Sequence, residues 1–305
     1  MHDRDSLHRF LFEQYPIRGH LVHLDASWHA LIEHRDYPAH IRTLLGEAAV
    51  ASLLLAATIK FEGVLSLQLQ GDGPMHLLLA QCTSGLGVRG LARYGEDAAA
   101  TAFPDNAGIT DLIGTGNLTV TVETDDSSQR YQGIVSITGT RLAESLQTYF
   151  ENSEQLPTRL WLYADEHGAS GMLLQRLPGE GGTAAVEDPQ AVDDAWRRVQ
   201  LIGETLTPEE LRTLTDAEIL HRLFNEDDVR LYEPAPVFFK CRCSRERVSG
   251  VLLGLGEAES RSILAERGEV EVRCDFCNRA YVFDAVDVGQ LFNPGVAGDA
   301  GGSVH

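Results

Sequence analysis

Cys241 and Cys243 stand one residue apart, and Cys274 and Cys277 follow after residues 244–273 with two residues between them. Thiolates are soft ligands, and four of them drawn from two local pairs suit the closed tetrahedral shell of a structural Zn²⁺. The plain alternative is four buried cysteines without a metal. The flanks read as the supports a metal shell needs. Ser244 stands where it can cap a helix through Arg245–Gly254, and Glu257–Glu266 reads as a second helix. Glu269–Arg273 and Arg279–Phe283 alternate like two short strands around Cys274-Asp-Phe-Cys277. A unit of about 55 residues with few large apolar side chains folds weakly, and a metal is a usual remedy. The first pair is unusual, because zinc clips ordinarily space their cysteines by about two to four residues. The thiolate is the form that oxidants attack, and Lys240, Arg242, Arg245 and Arg247 are expected to favour it. Both pairs could close as local disulfides, which would remove the ligands. Structural zinc contributes about 10–16 kcal/mol of folding energy in small zinc domains, against a total of about 5–15 kcal/mol for a domain. Oxidation is therefore expected to unfold this unit, which makes the site a switch. Cys82 stands alone in an apolar strand and reads as a buried, inert thiol.

The elements that must position these thiols are set out along 305 residues, enough for about two domains. Residues 1–180 read as a mixed core. His40–Lys60 is apolar nearly all round, as a buried core helix would be. Val64–Gln70 then alternates, Gly71-Asp-Gly-Pro74 turns, and Met75–Cys82 returns as the second strand of a hairpin. Asn117–Thr124 with Tyr131–Thr138, and Arg159–Ala164 with Gly171–Leu177, make two further hairpins, and Arg141–Gln155 is an amphipathic helix between them. Strands joined by hairpins predict an α+β fold with antiparallel sheets and helices packed beside them. The glycine-rich Pro178–Thr183 marks a break. Residues 181–235 form an acidic helical linker: Glu187–Glu233 carries 13 acidic residues against 5 arginines. Val192, Ala195, Trp196, Val199, Ile202 and Leu206 keep helical spacing, and Thr207-Pro-Glu-Glu210 and Thr215-Asp-Ala-Glu218 have the form of capping boxes. A solvated connector with an ordinary docked face and a marginal segment whose apolar stripe can be uncovered both fit this pattern. Residues 236–292 form the zinc-binding unit, and residues 293–305 are a glycine-rich tail expected to be disordered.

Composition narrows the partners. A net charge of −20 repels phosphate backbones, so no nucleic acid is expected. The longest nearly apolar run, Ala48–Ile59, falls short of the ~20 residues of a spanning helix, so no membrane segment is expected. The N-terminus has no basic start followed by an apolar stretch, so the compartment is expected to be the reducing cytoplasm.

At these residues the chain resembles the heat shock protein 33 family, redox-regulated chaperones of bacteria. The resemblance lies in Cys241-Arg-Cys243-Ser-Arg-Glu-Arg247, Gly268–Cys277 and Tyr281-Val-Phe-Asp284, and in the core at Leu55–Gly63, Leu67–Pro74, Tyr131-Gln-Gly-Ile134 and Tyr149–Arg159. It covers nearly the whole chain except the tail. It implies an ATP-independent holdase, not an enzyme, inactive while reduced and holding one Zn²⁺ on Cys241, Cys243, Cys274 and Cys277. It further implies oxidation by hypochlorous acid, or by peroxide with heat, to disulfides Cys241–Cys243 and Cys274–Cys277, with zinc released and the linker unfolded. The activated homodimer then binds unfolding client proteins.

Rival readings ask for other residues. A zinc-ribbon nucleic-acid or partner-binding module is the alternative, but nucleic acid wants a basic face, and Lys240–Phe292 carries 8 basic and 9 acidic residues. A thiol–disulfide oxidoreductase wants CxxC opening a helix. Metal-assisted hydrolysis wants an open coordination position, which four thiolates do not leave. The seven histidines of the first 40 residues (His2, His8, His20, His23, His29, His34, His40) form no HExxH and read as surface groups. Gly114-Thr-Gly116 reads as a turn, and Glu180-Gly-Gly182 lacks the lysine and hydroxyl of a P-loop, so no nucleotide is implied.

Overall fold

Alternating apolar and polar side chains build two sheets around one helix that is apolar on every side. The computed structural model describes residues 5–95, 107–126, 130–178 and 189–293. It divides into two compact units, one up to Lys240 and one from Cys241. The first unit opens with β1 (Ser6–Phe12), β2 (Ile17–Leu24), α1 (Ala26–Ile32) and α2 (Ala39–Thr58). It continues through β3 (Gly63–Gly71), β4 (Met75–Thr83), β5 (Gly87–Tyr94), α3 (Ile109–Ile113), β6 (Gly116–Thr124) and β7 (Arg130–Ser136). After α4 (Leu142–Tyr149) the chain widens into a π turn over Phe150–Glu154, and β8 (Thr158–Ala164) and β9 (Ala169–Arg176) follow. The acidic stretch forms α5 (Pro189–Gly203), α6 (Pro208–Thr213) and α7 (Asp216–Phe224), then β10 (Val229–Leu231), β11 (Ala235–Pro236) and β12 (Phe238–Phe239).

The first sheet runs β10-β1-β2-β9-β8, with β11 also on β1, and the second runs β12-β5-β4-β3-β6-β7. The three expected hairpins are antiparallel pairs, β3–β4, β6–β7 and β8–β9, and the α+β architecture stands. The short β12–β5 pair is parallel. Sequence reasoning did not identify β1, β2 or β5, because histidines and arginines interrupt the apolar runs. Arg141–Gln155 is α-helical only over Leu142–Tyr149, and Gln155, left-handed at φ 55°, ends the π turn.

Helix α2 packs against β2, β8 and β9 of one sheet and β3, β4 and β5 of the other. That explains why Leu45, Leu53 and Leu54 are all fully buried although they point different ways around the helix. By length and composition α2 is the described helix that could cross a membrane, but 72% of its most apolar window is buried inside the protein. The 12-residue run counted from sequence thus understated the helix, and its burial between two sheets accounts for the composition.

The first sheet is covered on its other face as well. Phe10, Phe12, Ile17, Leu21, Met172 and Leu174 pack with Ala195, Trp196, Val199, Leu211, Ile219, Leu223 and Phe224 of α5–α7. Covering on both faces leaves β9 buried along almost its whole length rather than at alternate residues. The close fit shows at Gly19, where a Cβ would lie 2.0 Å from the Phe10 ring. Thr207 and Thr215 cap α6 and α7 with the capping boxes expected of them. Side chains from the paired strands β1 and β2 and from α7 meet where the helix packs on the sheet. His8 Nδ1 and His23 Nε2 each lie 2.5 Å from an oxygen of the buried Asp216. Burial opposes charge on Asp216, but the two histidines outweigh it and hold the carboxyl down to about 2. The histidines therefore depart from the surface reading. His20 is also buried, on the strand face it shares with Val22 and Leu24, where burial, then Arg18 and Arg9, push it down to about 3.

The second unit contains α8 (Arg245–Leu255), α9 (Glu257–Arg267), the antiparallel pair β13 (Val270–Arg273) and β14 (Ala280–Phe283), and α10 (Ala285–Phe292). Its described buried core is small: Val248, Leu252, Val270, Tyr281, Phe283 and Val288. Residues 179–183 of the expected break, Glu180-Gly-Gly182, the first linker residues, His2 and residues 294–305 of the tail lie outside the described residues.

Candidate metal centre

The two cysteine pairs come from two kinds of local structure. Cys274 follows β13, and its N–H donates to Arg279 O (3.0 Å) while Asn278 N–H donates back to Cys274 O (2.8 Å). Asn278, at φ 52°, supplies the left-handed residue that closes this knuckle, a conformation asparagine tolerates better than most side chains. Cys241 and Cys243 lie on the extended segment before α8, whose first turn is capped by Ser244 Oγ accepting from Arg247 N–H (3.3 Å). Arg247 Nη1 donates to Arg242 O (2.9 Å) and holds the residue between the two cysteines. Arg245 ties this segment to the hairpin: it donates to Val282 O (2.9 Å), pairs with Asp287 (2.8 Å) and stacks over Phe283 (4.3 Å).

The four sulphurs expected from sequence converge. All lie within 4.8 Å of one another, and all are free thiols. A regular tetrahedron with metal–sulphur bonds of ~2.3 Å has edges of about 3.8 Å. The contacts of 3.6 Å (Cys241–Cys274) and 3.4 Å (Cys243–Cys277) approach that spacing. The donor set and its geometry therefore fit one tetrahedral, thiophilic metal ion, and four cysteines here could hold one.

The site is electrostatically uneven. Burial opposes the Cys243 thiolate, but the Tyr281 hydroxyl, 3.1 Å away, and the other sulphurs outweigh it and bring Cys243 down to about 7. Cys241 and Cys277 are pushed up, first by burial. Tyr281 and Arg279 are the neighbours whose role sequence reasoning missed. Arg279 is the arginine whose charge is felt by Cys243 and Cys277, whereas Arg245 and Arg247 are engaged elsewhere. Alternation along β14 could have placed Tyr281 on the inward face, but nothing local says which sulphur it meets. Cys82 belongs to the first unit, fully buried on β4, where burial pushes its thiol up to about 12.

Comparisons with known proteins agree with this architecture. The family described as Hsp33 protein matches residues 5–284. A 33 kDa chaperonin of Nitrosococcus oceani is 49% identical over 292 residues, 96% of each chain. One of Methylobacillus flagellatus is 45% identical over 290 residues, 94% of each chain. The crystal structure of a 33 kDa chaperonin, a heat shock protein 33 homolog, from Thermotoga maritima shares the fold. It has a TM-score of 0.79 at 22% identity and covers 94% of this chain and 97% of that one.

Proposed function

This chain belongs to the Hsp33 family, a family of chaperones, and from that premise we propose that it is a cytoplasmic, ATP-independent holdase switched on by oxidation. The observation that carries the reading is the convergence of four thiols, within 4.8 Å of one another, in a unit whose own described core is six side chains. A Zn²⁺ held there would tie the CxC segment to the knuckle and supply folding energy that this core lacks. Cys241, Cys243, Cys274 and Cys277 are its proposed ligands.

Oxidation takes two electrons from each cysteine pair and joins its sulphurs as a disulfide, with hypochlorous acid reduced to chloride and water. The proposed pairs are Cys241–Cys243 and Cys274–Cys277, as the family resemblance implies. In the reduced structure sulphur contacts of 3.6 and 3.4 Å also run across the motifs, Cys241 to Cys274 and Cys243 to Cys277, so the pairing is a point to test. A unit deprived of its ligand shell unfolds, and α5–α7, which precede it in the chain, lose their hold on the first sheet. The face then uncovered, with Phe10, Phe12, Leu21, Met172 and Leu174, is apolar enough to hold an unfolding client. Dimerisation of the oxidised form completes the reading.

The test follows zinc content, far-UV circular dichroism and suppression of citrate synthase aggregation before and after hypochlorous acid, with peptide mapping under non-reducing conditions. One zinc lost per chain, partial loss of helix and gain of holdase activity are expected, with Cys241–Cys243 and Cys274–Cys277 as the mapped disulfides. Zinc loss without holdase activity would reduce the site to an oxidisable structural clip. Crossed disulfides would overturn the pairing alone.

A further inference from the structure

Helix α2 ends at Thr58, and past its end the two sheets enclose a cavity of about 290 Å³. Its walls are mostly apolar, with Leu55, Leu65, Val120, Val122, Tyr149 and Phe150 among them. The opening is marked by Ile59 and Tyr131, which are 39% and 47% exposed. Gly133, beside it on β7, keeps the tyrosine wall in place, since a Cβ there would lie 2.5 Å from the Tyr149 ring. The cavity is about ten times the ~30 Å³ share of one liquid water, room for a chain of roughly eight to ten carbons.

Two polar groups in this apolar space are held by construction. On one side, Gln175 is fully buried, and its Nε2 donates to Thr158 Oγ1 (2.9 Å), which fixes the amide. Gln175 Oε1 then accepts from both Nε (3.0 Å) and Nη2 (2.5 Å) of Arg18, and Nη2 also donates to Thr58 O (2.9 Å), closing the C-terminus of α2. Among the described residues Arg18 Nη1 has no hydrogen-bond partner, and no carboxylate pairs with the guanidinium. The cation is partly desolvated, and burial followed by the charge of Arg9 lowers its pKa. On the other side, the π turn delivers Glu154, whose Oε1 accepts from the Tyr131 and Tyr149 hydroxyls (both 3.1 Å). That carboxylate is committed to the tyrosines and forms no ion pair with Arg18.

An apolar cavity with cationic side chains, Arg18 and Lys60, in its lining calls for a ligand that is apolar along its length and anionic at one end. We propose that this cavity is a binding site for a medium-chain amphipathic carboxylate, with the carboxylate on Arg18 Nη1 and the alkyl chain against Val120, Val122 and the Tyr149–Phe150 wall. Arg18 is the partly buried cation of this lining and the exposed Lys60 stands in it as well, so an anionic head is the one they match. The site is separate from the thiol centre, and its occupancy does not depend on the chaperone reading.

The experiment is calorimetric titration of the reduced, zinc-loaded full-length protein with decanoate below its micelle concentration, beside decanol and decyltrimethylammonium. Saturable binding of one decanoate per chain is expected, with the other two at least ten-fold weaker. Arg18→Gln should weaken decanoate by about ten-fold or more, the scale of a hydrogen bond to a charged group. Arg18→Lys should restore part of the loss. Val122→Trp, which fills the cavity, should abolish binding, whereas Ile134→Trp, on the neighbouring strand but outside the cavity lining, should not. Because Arg18 also closes α2, each variant is first checked by thermal melting. Tyr131→Trp, at the opening, gives an independent fluorescence readout with Arg18 intact. Decanol binding as tightly as decanoate would overturn the anionic-head assignment. No saturable binding, or binding untouched by Val122→Trp, would overturn the site. Failure of the holdase assay would leave these outcomes unchanged.

Discussion

At the scale of single residues, burial decides which thiols take part in chemistry. Cys82 is sealed on β4 with its thiol pushed up to about 12, so almost none of it is thiolate at neutral pH. In reduced, metal-stripped protein, iodoacetamide should label four cysteines readily and the fifth only after denaturant is added. Mass spectrometry that finds Cys82 modified as fast as Cys243 would refute its inert role. Asp216 is the other residue whose environment has a measurable consequence. Its folded carboxyl sits at about 2 against an ordinary 3.8, with burial opposed by His23 and His8. A depressed carboxylate contributes stability that is present above the unfolded pKa and is lost as pH falls through the folded one. The shift corresponds to about 2 kcal/mol. Asp216→Asn should therefore destabilise the first unit by about that amount at about pH 5, and the gap between the two proteins should close toward pH 2. Urea unfolding at several pH values measures this, and a gap that persists at pH 2 would count against the electrostatic account.

At the scale of elements, the linker helices and the first sheet depend on each other. Phe224 of α7 is buried edge-on against Phe12 of β1, with ring centroids 5.1 Å apart. Phe224→Ala should cost about 3–5 kcal/mol of docking. Hydrogen exchange should then accelerate across α5–α7, with zinc still bound and holdase activity present without oxidant. Faster exchange with no activity would show that the face under the linker does not hold clients. The capping boxes of α6 and α7, the hairpins and the all-round apolar character of α2 were legible, because each is set by residues close together in the chain. Strands β1 and β2 were not. His8 and His23 read as surface groups until the fold brings Asp216 to them, and His20 until the strand buries it.

For the whole molecule, the two units differ in what holds them. The first has two sheets and the large apolar cluster around α2, whereas the described part of the second has an apolar cluster of six buried side chains beside its four thiols. Chelation of the metal from the reduced protein should melt the second unit while the first keeps a cooperative transition, and calorimetry with and without chelator separates the two. A chelator-insensitive second unit would mean that its core suffices alone. Sequence by itself determined the CxC and CxxC spacing and hence the ligand chemistry, the helical faces of the linker, and the local hairpins that make the sheets antiparallel. These follow from neighbouring residues: side-chain period, turn chemistry and ligand type. Tertiary structure alone decided the rest: that Asp216 meets His23 across 193 residues, that Arg18 and Gln175, 157 residues apart, frame a cavity, and that sulphurs meet across the two motifs. The Arg18–Gln175 contact follows from the strand order β10-β1-β2-β9-β8 in the first sheet, which sets β2 against β9. The free energy that selects that order comes from burying both sheet faces at once, and no local pattern records it.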